Sequence, residues 1–341
     1  MKKSFLCIGL FFVALISCTN NEVIDVPQEK NAIQFKAPFV GKNTRATDAN
    51  EITTNDVNHI HVFGKFIASD ATTHTGATDV FNNVKLDKSG NLYATDQEWQ
   101  ANKLYSFAAY IDGKNGQNQT DATFALTSTT TSALTIPNYI VSNNDLVVAM
   151  PEDVRTTTNS NYAVPLIFNH TLSKVRFTFE NGESSTFNMT VSDIKIDGAW
   201  NQGTLIVSKS AGGVVSPDWK FEDSHSRTGY TFSSTSLIVP KGTDYTEGFV
   251  IPQNIERLNV TFKITLEDTD KNTSETMNYT ASLALALSSW TAHRAYNYKL
   301  SIAAHDIDSD LSDKIQFKLD YVDSWGTYSD KTLEPTQKGN L

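Results

Sequence analysis

Apolar residues recur at every second position through long stretches of this sequence, and that spacing constrains the fold more than any other feature. The clearest run carries Leu258, Val260, Phe262, Ile264 and Leu266. After the turn-like residues 268–272, a second run carries Met277, Tyr279, Ala281, Leu283, Leu285 and Leu287. Period-two alternation is typical of a strand with one buried face. The two runs therefore predict an antiparallel hairpin, and the chain as a whole predicts an all-β fold.

Chain length indicates more than one hydrophobic core. The chain has 341 residues, and single cores stop growing at about 250–300 residues. Two β-sandwiches are the simplest arrangement, with the polar loop at 155–161 as the boundary. Apolar residues then occupy even positions from Leu166 to Leu172 and odd positions from Val175 to Phe179. This change of phase predicts a bulge or a bend near Ser173.

The amino terminus predicts export and lipidation. Lys2 and Lys3 precede a short apolar stretch at 5–16, and Cys18 follows the small residue Ser17. This order is typical of a secretory signal, and the stretch is too short for a membrane-spanning helix, which takes about 20 residues. The cysteine resembles the one in the lipobox of bacterial lipoproteins. That resemblance implies cleavage before Cys18 and attachment of lipid to its thiol.

Charge and cysteine content exclude several function classes. The net charge is -10, which disfavours binding to nucleic acid or to anionic lipid. Cys7 and Cys18 are the only cysteines, so the folded part has no disulfide, thiolate nucleophile or zinc–thiolate site. The sequence also lacks a nucleophile elbow, a phosphate-binding loop and a zinc-protease helix. We therefore predict a protein that is not an enzyme and has no cofactor or metal.

Several histidine and aspartate patterns have spacings that metal sites can use, but none of them predicts a metal site. His59 and His61 share one strand face, and we interpret them as exposed side chains. His170 lies on an apolar phase and is predicted to be a hydrogen-bonded core residue. An acidic cluster has the spacing of a calcium loop without its required glycine and glutamate; it comprises Asp306, Asp308, Asp310 and Asp313. We interpret it as a solvated loop.

The five tryptophans are scattered along the chain and are predicted to pack in the core. They are Trp99, Trp200, Trp219, Trp290 and Trp325. If several were exposed together, they could stack on sugar rings. Trp200 and Trp219 lie in segments that contain Gly, Asn or Asp, so these two are the ones whose exposure matters most.

Several of these features together resemble the fimbrillin-like proteins of Bacteroides-type bacteria. They are the lipobox, Thr44-Arg45-Ala46-Thr47, Leu166-Ile-Phe-Asn-His-Thr-Leu-Ser-Lys-Val175, Trp290 with Tyr296-Asn-Tyr298, and Trp325. The resemblance implies two transthyretin-like antiparallel β-sandwich domains in tandem, exported as a lipoprotein and assembled into fimbriae. It also implies that a protease cuts the Arg45–Ala46 bond and releases the first strand. A strand from the next subunit then fills the vacated position.

The resulting division of the chain has four parts. Residues 1–17 are the signal peptide, and 18–45 are a lipidated leader with a removable first strand. Residues 46–160 are the N-terminal sandwich domain, and 161–341 are the C-terminal one. Before cleavage, lipid on Cys18 would hold the chain at the outer membrane.

The residues before Arg45 fit a removable strand. One apolar face is formed by Ile33, Phe35, Ala37 and Phe39. Pro38 cannot donate a ladder hydrogen bond, which predicts that this strand lies at a sheet edge. Near the carboxyl end a second segment has matching alternation and is the candidate donor strand; its apolar residues are Ile315, Phe317, Leu319 and Tyr321. Alternatively, both strands belong permanently to their own sheets.

We therefore predict a structural subunit of cell-surface fimbriae that supports adhesion. Its partners would be other fimbrial subunits, joined by strand addition, and a ligand on a host or bacterial surface. The alternative is a monomeric outer-membrane lipoprotein that binds glycans, or a component that anchors or tips a fimbria. A glycan-binding protein would carry clustered exposed Trp and Tyr, an uncut Arg45 and a carboxyl-end strand that pairs within its own sheet.

Overall fold

The structure, a computed structural model, describes residues 31–36, 39–40, 52, 57–157, 162–182, 187–233, 237–239, 242–284, 287–302 and 318–324. Every secondary-structure element among these residues is a strand, so the all-β prediction is confirmed. Within these residues no helix is long and apolar enough to cross a membrane. Outside the described residues lie the signal peptide, the acidic cluster at 306–313, Trp325, Cys18, Arg45 and Ala46.

The strands fall in this order along the chain: β1 Ala32–Lys36, β2 Phe39–Val40, β3 His59–Ala68, β4 Thr78–Ser89, β5 Leu92–Glu98, β6 Lys103–Asp112, β7 Thr123–Leu126, β8 Ser132–Ile140, β9 Leu146–Ala149, β10 Val154–Arg155, β11 Ala163–Val164, β12 Ile167–His170, β13 Ser173–Asn181, β14 Phe187–Asp197, β15 Gln202–Lys209, β16 Val215–Lys220, β17 Tyr230–Ser233, β18 Leu237–Val239, β19 Gly242–Val250, β20 Asn259–Asp268, β21 Thr273–Ser282, β22 Arg294–Ile302 and β23 Lys318–Ser324.

The largest sheet has ten strands and curls back on itself. Its order is β11-β1-β5-β4-β3-β6-β9-β12-β2, with β10 paired to β6. Only two residues separate β1 from β2, and only two separate β11 from β12. Since a residue spans at most about 3.6 Å, these short connections hold the two ends of the sheet together. We call this junction, where β1–β2 runs beside β11–β12, the seam.

The central strands of this sheet are buried on both faces. In β6, Phe107 and Ala109 point into the core that the curled sheet encloses. Their neighbours Ala108 and Tyr110 point into a second core. That second core is closed by a four-stranded sheet of order β16-β15-β8-β7. A strand that is buried on both faces typically has a nearly continuous run of apolar residues, as β6 has.

Two further sheets enclose the third core. One has the order β19-β13-β22-β23, and the other has the order β17-β14-β20-β21 with β18 on β14. The hairpin predicted from alternation is β20–β21, which pairs Phe262 with Tyr279 and Ile264 with Met277. The prediction of that hairpin is confirmed.

The predicted bulge near Ser173 is instead a change of sheet. β12 ends at His170 and pairs with β9, whereas β13 begins at Ser173 and pairs with β19 and β22. Later in the chain, β15 and β16 return to the first half, where β15 pairs with β8. The strands just after residue 160, β11 and β12, pair with β1 and β9 of the first half, and the domain boundary at 160/161 stays a prediction.

A buried carboxylic acid lies at the end of β6. The Asp112 side chain accepts hydrogen bonds from Gln119 Nε2 at 2.6 Å and from the Tyr139 hydroxyl at 3.2 Å. Burial raises the pKa of the Asp112 carboxyl from 3.8 to about 6, although these two hydrogen bonds oppose the rise. Asp145 lies nearby and raises that pKa further.

Asp112→Asn is expected to change how stability depends on pH. Because the folded pKa exceeds the unfolded one, the folded wild type binds more protons than the unfolded chain between about pH 4 and pH 6, so it loses stability as the pH rises through that window. The difference in stability between wild type and variant should therefore move in favour of the variant by ~2 kcal/mol between pH 4 and pH 7. Urea unfolding at each pH measures it. His61 and His293, whose pKa values burial lowers, titrate in both proteins and cancel. A pH-independent gap would contradict the prediction.

Candidate functional site: the groove filled by the leader strand

The predicted removable strand is β1, and its apolar face is buried. Ile33 and Phe35 have 0% exposure, whereas Gln34 is half-buried and Lys36 is exposed. Ala37 lies outside the described residues, and the side chain of Phe39 in β2 is not described.

The prediction that this strand lies at a sheet edge is wrong. β1 pairs with β5 on one side and with β11 on the other. The edge is formed by β11, which has two residues. A two-residue strand carries too little alternation to be recognised in a sequence. We call the channel between β5 and β11 that β1 fills the leader groove.

Aromatic side chains form the floor of the leader groove around Phe35. The ring of Phe35 meets Phe107 edge-on, with centroids 5.3 Å apart and an interplanar angle of 90°. It meets Phe81 at 5.8 Å and 63°. Tyr93 of β5 and Val164 of β11 lie opposite Phe35 in the two ladders. Edge-to-face packing favours an aromatic ring over an aliphatic side chain at this position.

The walls of the leader groove hold the backbone of β1. In the antiparallel ladder Gln34 lies opposite Ala94, and Lys36 lies opposite Leu92. The ladder has an irregularity between Ala32 and Gln34. There the Thr95 hydroxyl donates to the Ile33 carbonyl at 2.8 Å. A strand in this groove is therefore fixed in register as well as in position.

Trp99 closes one end of the leader groove. Its backbone N–H donates to the Asn31 carbonyl at 2.9 Å. The ring lies edge-on to Tyr105 at 4.8 Å and 83° and to Phe107 at 5.9 Å and 84°. Within the part of the chain that the structure describes, its Nε1 has no hydrogen-bond partner.

The leader continues past the groove along β12. Phe39 lies opposite Ile167 and Val40 opposite Phe168, in parallel. The leader thus pairs with β11 through β1 and with β12 through β2. Removing it would open the seam along its whole length and leave unpaired edges on β5, β11 and β12, which are templates for another strand.

The predicted donor segment falls partly on β23. Leu319 and Tyr321 belong to β23, which pairs with β22 and forms the edge of its sheet; their side chains are not described. Ile315 and Phe317 lie outside the described residues. Pairing of β23 within its own sheet is the arrangement that the glycan-binding alternative predicts, and the donor role stays a prediction.

Histidine placement agrees with prediction at one site and differs at another. His170 is buried, and its Nδ1 lies 2.8 Å from Asp145 Oδ2, as predicted for a satisfied core histidine. His61 was predicted to be exposed, but it is buried and stacks on Tyr110 at 5.0 Å. β3 has buried residues on both faces, which alternation around His61 did not reveal. The described residues contain no cluster of three metal-ligating side chains.

The described tryptophans pack as predicted. Trp99, Trp219 and Trp290 are buried. Trp200 is half-buried between Phe221, which stacks on it at 5.3 Å, and the guanidinium of Arg227, 4.6 Å from its ring centre. Exposed tyrosines are Tyr162 and Tyr245, which lie far apart in sequence. Among the described residues, the exposed aromatic cluster that a glycan-binding protein requires is not present.

A cavity of about 910 Å³ lies beside β10 and β12. Its described lining includes Arg155, Tyr162, Ile167, Asn169 and His293. Tyr162 is the one phenol ring among these lining residues. A single ring offers one stacking surface, which gives the glycan-binding alternative little support.

Comparison with known proteins identifies the family. Residues 44–316 match the family described as fimbrillin-like, so the chain belongs to the fimbrillin-like family. Among solved structures, it is similar to a fimbrial protein from Bacteroides vulgatus, with a TM-score of 0.57, 15% identity, and coverage of 86% of this chain and 99% of that one. It is also similar to a candidate cell adhesion protein from Bacteroides ovatus, with a TM-score of 0.45, 16% identity and coverage of 87% and 98%. No curated protein matches the sequence.

The family assignment confirms two predictions made from the sequence. The resemblance to fimbrillin-like proteins is confirmed over most of the chain. The prediction that the protein is not an enzyme is also confirmed, because this is a family of structural and adhesion proteins. The family description and the similar protein from Bacteroides vulgatus both refer to fimbriae, which are appendages of the cell surface.

Proposed function

We propose that this protein is a structural subunit of cell-surface fimbriae that supports adhesion and polymerises by donor-strand exchange. It is exported as an outer-membrane lipoprotein, held by lipid on Cys18, and cut after Arg45. The observation that carries the proposal is the position of β1. The leader supplies two fully buried core residues, Ile33 and Phe35, from a strand that is paired on both sides.

Cleavage after Arg45 would detach β1 and β2 from the rest of the chain without breaking their non-covalent contacts. Each of the buried side chains of Ile33 and Phe35 is worth ~1.5–3 kcal/mol. The backbone ladders to β5, β11 and β12 add to this. The cut leader would therefore stay in place until another strand displaces it, and the groove would never stand empty.

A replacement strand would bind by β-augmentation. Backbone hydrogen bonds to β5 and β11 supply affinity, and the sites of Ile33 and Phe35 supply specificity. The candidate donor from the next subunit includes Leu319 and Tyr321, which belong to the edge strand β23. An edge strand has one ladder to give up, whereas a central strand has two.

Arg45→Gln is expected to prevent assembly. Wild-type protein from surface fractions, after mild digestion with an arginine-specific protease, should begin at Ala46 and form ladders in detergent without heating. The variant should keep its leader and run as a monomer, because the groove stays filled. Amino-terminal mass spectrometry and gel electrophoresis measure both properties.

Lys42→Gln is the matched control, since it removes a neighbouring basic residue and leaves the cleavage site at Arg45–Ala46 unchanged. It should be cut and should assemble like the wild type. Ladders of equal length from Arg45→Gln would refute cleavage-dependent assembly. A wild-type chain that keeps lipidated Cys18 and stays monomeric would indicate an anchor or the glycan-binding alternative instead.

A further inference from the structure

β21 is the longest strand at a sheet edge in the described part of the chain. Its ten residues, Thr273–Ser282, pair with β20 at ten consecutive positions without a bulge. Among the described strands, none pairs with its other side. Alternate residues of an edge strand direct their N–H and C=O groups away from the sheet. β21 therefore presents a row of backbone groups that is a template for a further strand.

The other sheet edges among the described strands are short or protected. β2 and β11 have two residues, β18 has three, β7 and β17 have four, and β23 has seven. β16 carries Pro217 and Lys220, which are residue types that block pairing at an edge. β19 lies against β17, where the Thr246 hydroxyl donates to the Phe232 carbonyl at 3.1 Å. Only β21 is both long and unprotected in this part of the chain.

The side chains of β21 suit a strand that is still to be covered. Met277 and Tyr279 point toward the core but are only half-buried, although the Tyr279 ring stacks on Phe262 at 5.6 Å. The other residues of the strand are exposed, apart from Ala281. The strand has no Lys, Arg or Pro, and Glu275 is its one charged residue. A further strand would cover the two half-buried side chains and would meet a single charge.

We propose that β21 is a docking edge for β21 of a second copy of this chain, paired antiparallel across a two-fold axis at Asn278. Such an interface uses the same surface of both copies. In a sheet that continues through both copies, the core-facing residues of the two strands lie on one side, so odd-numbered residues face odd-numbered ones. Met277 of one copy then faces Tyr279 of the other, and Thr276 faces Thr280.

The sequence of β21 is complementary to itself in this register. The pairing of Met277 with Tyr279 occurs twice, and contacts between sulfur and an aromatic ring are favourable. The threonine pair also occurs twice, and cross-strand threonine pairs stabilise a sheet. Glu275 faces Ala281, so no like charges oppose each other. A shift by two residues would place Met277 opposite itself and would lose both of its contacts with Tyr279.

Side-by-side association of fimbriae is the consequence of this pairing, a step that rests on the proposed function. Copies repeat along a fimbria, so a contact that is weak between two chains gains strength when many form together. β21 belongs to the sheet β17-β14-β20-β21, whereas the leader groove belongs to the ten-stranded sheet. One chain can therefore use both surfaces.

Disulfide trapping tests the pairing. Uncut full-length chains are used, so that the leader groove stays filled and donor-strand ladders do not form. Asn278→Cys should give a disulfide-linked dimer under mild oxidation. The residue at the two-fold axis faces itself, and facing Cα atoms lie about 4.5–5.5 Å apart, within disulfide reach. The wild-type chain, oxidised in parallel, gives the background from Cys7 and Cys18.

Thr276→Cys is the register control. Two copies of this variant place their cysteines four residues apart along the strands, which is about 13 Å and exceeds disulfide reach. This variant should therefore not cross-link with itself. It should cross-link when it is mixed with Thr280→Cys, because these two positions face each other in the proposed register.

Lysine substitutions test the edge without cysteine chemistry. Thr276→Lys combined with Thr280→Lys places cations opposite each other and should raise the dimer dissociation constant by at least about tenfold, measured by sedimentation equilibrium of uncut chains. Both positions are exposed, so the monomer should still fold. Thr72→Lys combined with Thr73→Lys is the matched control, since it adds the same charge to exposed residues between β3 and β4. It should dimerise like the wild type.

The outcomes separate this inference from the proposed function. An uncut wild-type chain that stays monomeric at every concentration would overturn the inference and leave β21 to a different partner. Equal dissociation constants for the two lysine variants would overturn the assignment of the interface to β21. Cross-linking of Thr276→Cys with Asn278→Cys instead of Thr280→Cys would overturn the register. The proposed function would stand in each case, since ladder formation by cleaved chains tests it separately.

Discussion

Replacing Phe35 with alanine is expected to lower the free energy of unfolding of the uncut chain by about 3–5 kcal/mol. The Phe35 ring is fully buried and packs edge-on against Phe81 and Phe107. Its truncation leaves a cavity lined by two aromatic rings that are held on separate strands and cannot easily close around it. Urea unfolding followed by tryptophan fluorescence measures the loss.

Lys36→Ala is the matched control for Phe35. Lys36 is the next residue on β1 and is exposed, so its truncation should change stability by no more than about 0.5 kcal/mol. If Phe35→Ala cost no more than Lys36→Ala, the leader would not be part of the hydrophobic core. The leader groove would then lose its physical basis.

Glu247→Ala is expected to have an effect of similar size in a different part of the protein. The Glu247 carboxylate lies 3.1 Å from Lys174 Nζ and 2.6 Å from an Arg176 terminal nitrogen. Their side chains are 9%, 2% and 11% exposed respectively. Removing this carboxylate from beside two cations that are about nine-tenths buried typically costs about 3–5 kcal/mol. Urea unfolding is again the measurement.

Glu180→Ala provides the comparison for Glu247. Glu180 lies on the same strand, β13, as Lys174 and Arg176, and it pairs with Lys299 at 3.2 Å with both side chains about one-third exposed. An exposed pair is worth at most about 1 kcal/mol, and salt weakens it. Equal losses from the two variants would contradict the role of burial.

The β20–β21 hairpin could be predicted because its two strands are adjacent in the sequence and each alternates clearly. Phe262 and Ile264 lie on one strand, Tyr279 and Met277 on the next, and a short turn joins them. The seam could not be predicted in the same way. β11 has two residues, and it meets β1 through Phe35 and Val164, which are far apart in the chain. No periodicity connects such positions.

Burial on both faces explains the other differences. His61 and Tyr110 belong to central strands that have a core on each side. Alternation predicts which side chains share a face, but it cannot indicate that the second face is covered by β7, β8, β15 and β16. The covering hairpin β15–β16 follows β13 and β14 in the chain, so no local signal joins it to β3 or β6.

The leader groove contains residues that local alternation predicts and residues that it does not predict. Ile33 and Phe35 were identified as buried because the leader alternates cleanly. Trp99, Phe81 and Phe107, which shape the groove, belong to three different strands or loops and carried no common pattern. The backbone contact from Thr95 to Ile33 depends on a ladder irregularity, which a sequence does not display.

The seam also has a kinetic consequence. β1 is the earliest strand that the structure describes, yet one of its two ladders joins Gln34 to Ala163. Contacts between distant chain positions form slowly, because the entropy cost of closing the loop comes before the stabilising contacts form. Because a chain is synthesised from its amino end, β1 emerges well before β11 and β12 and must wait for them. Closure of the seam should therefore be a late event in the folding of each new chain.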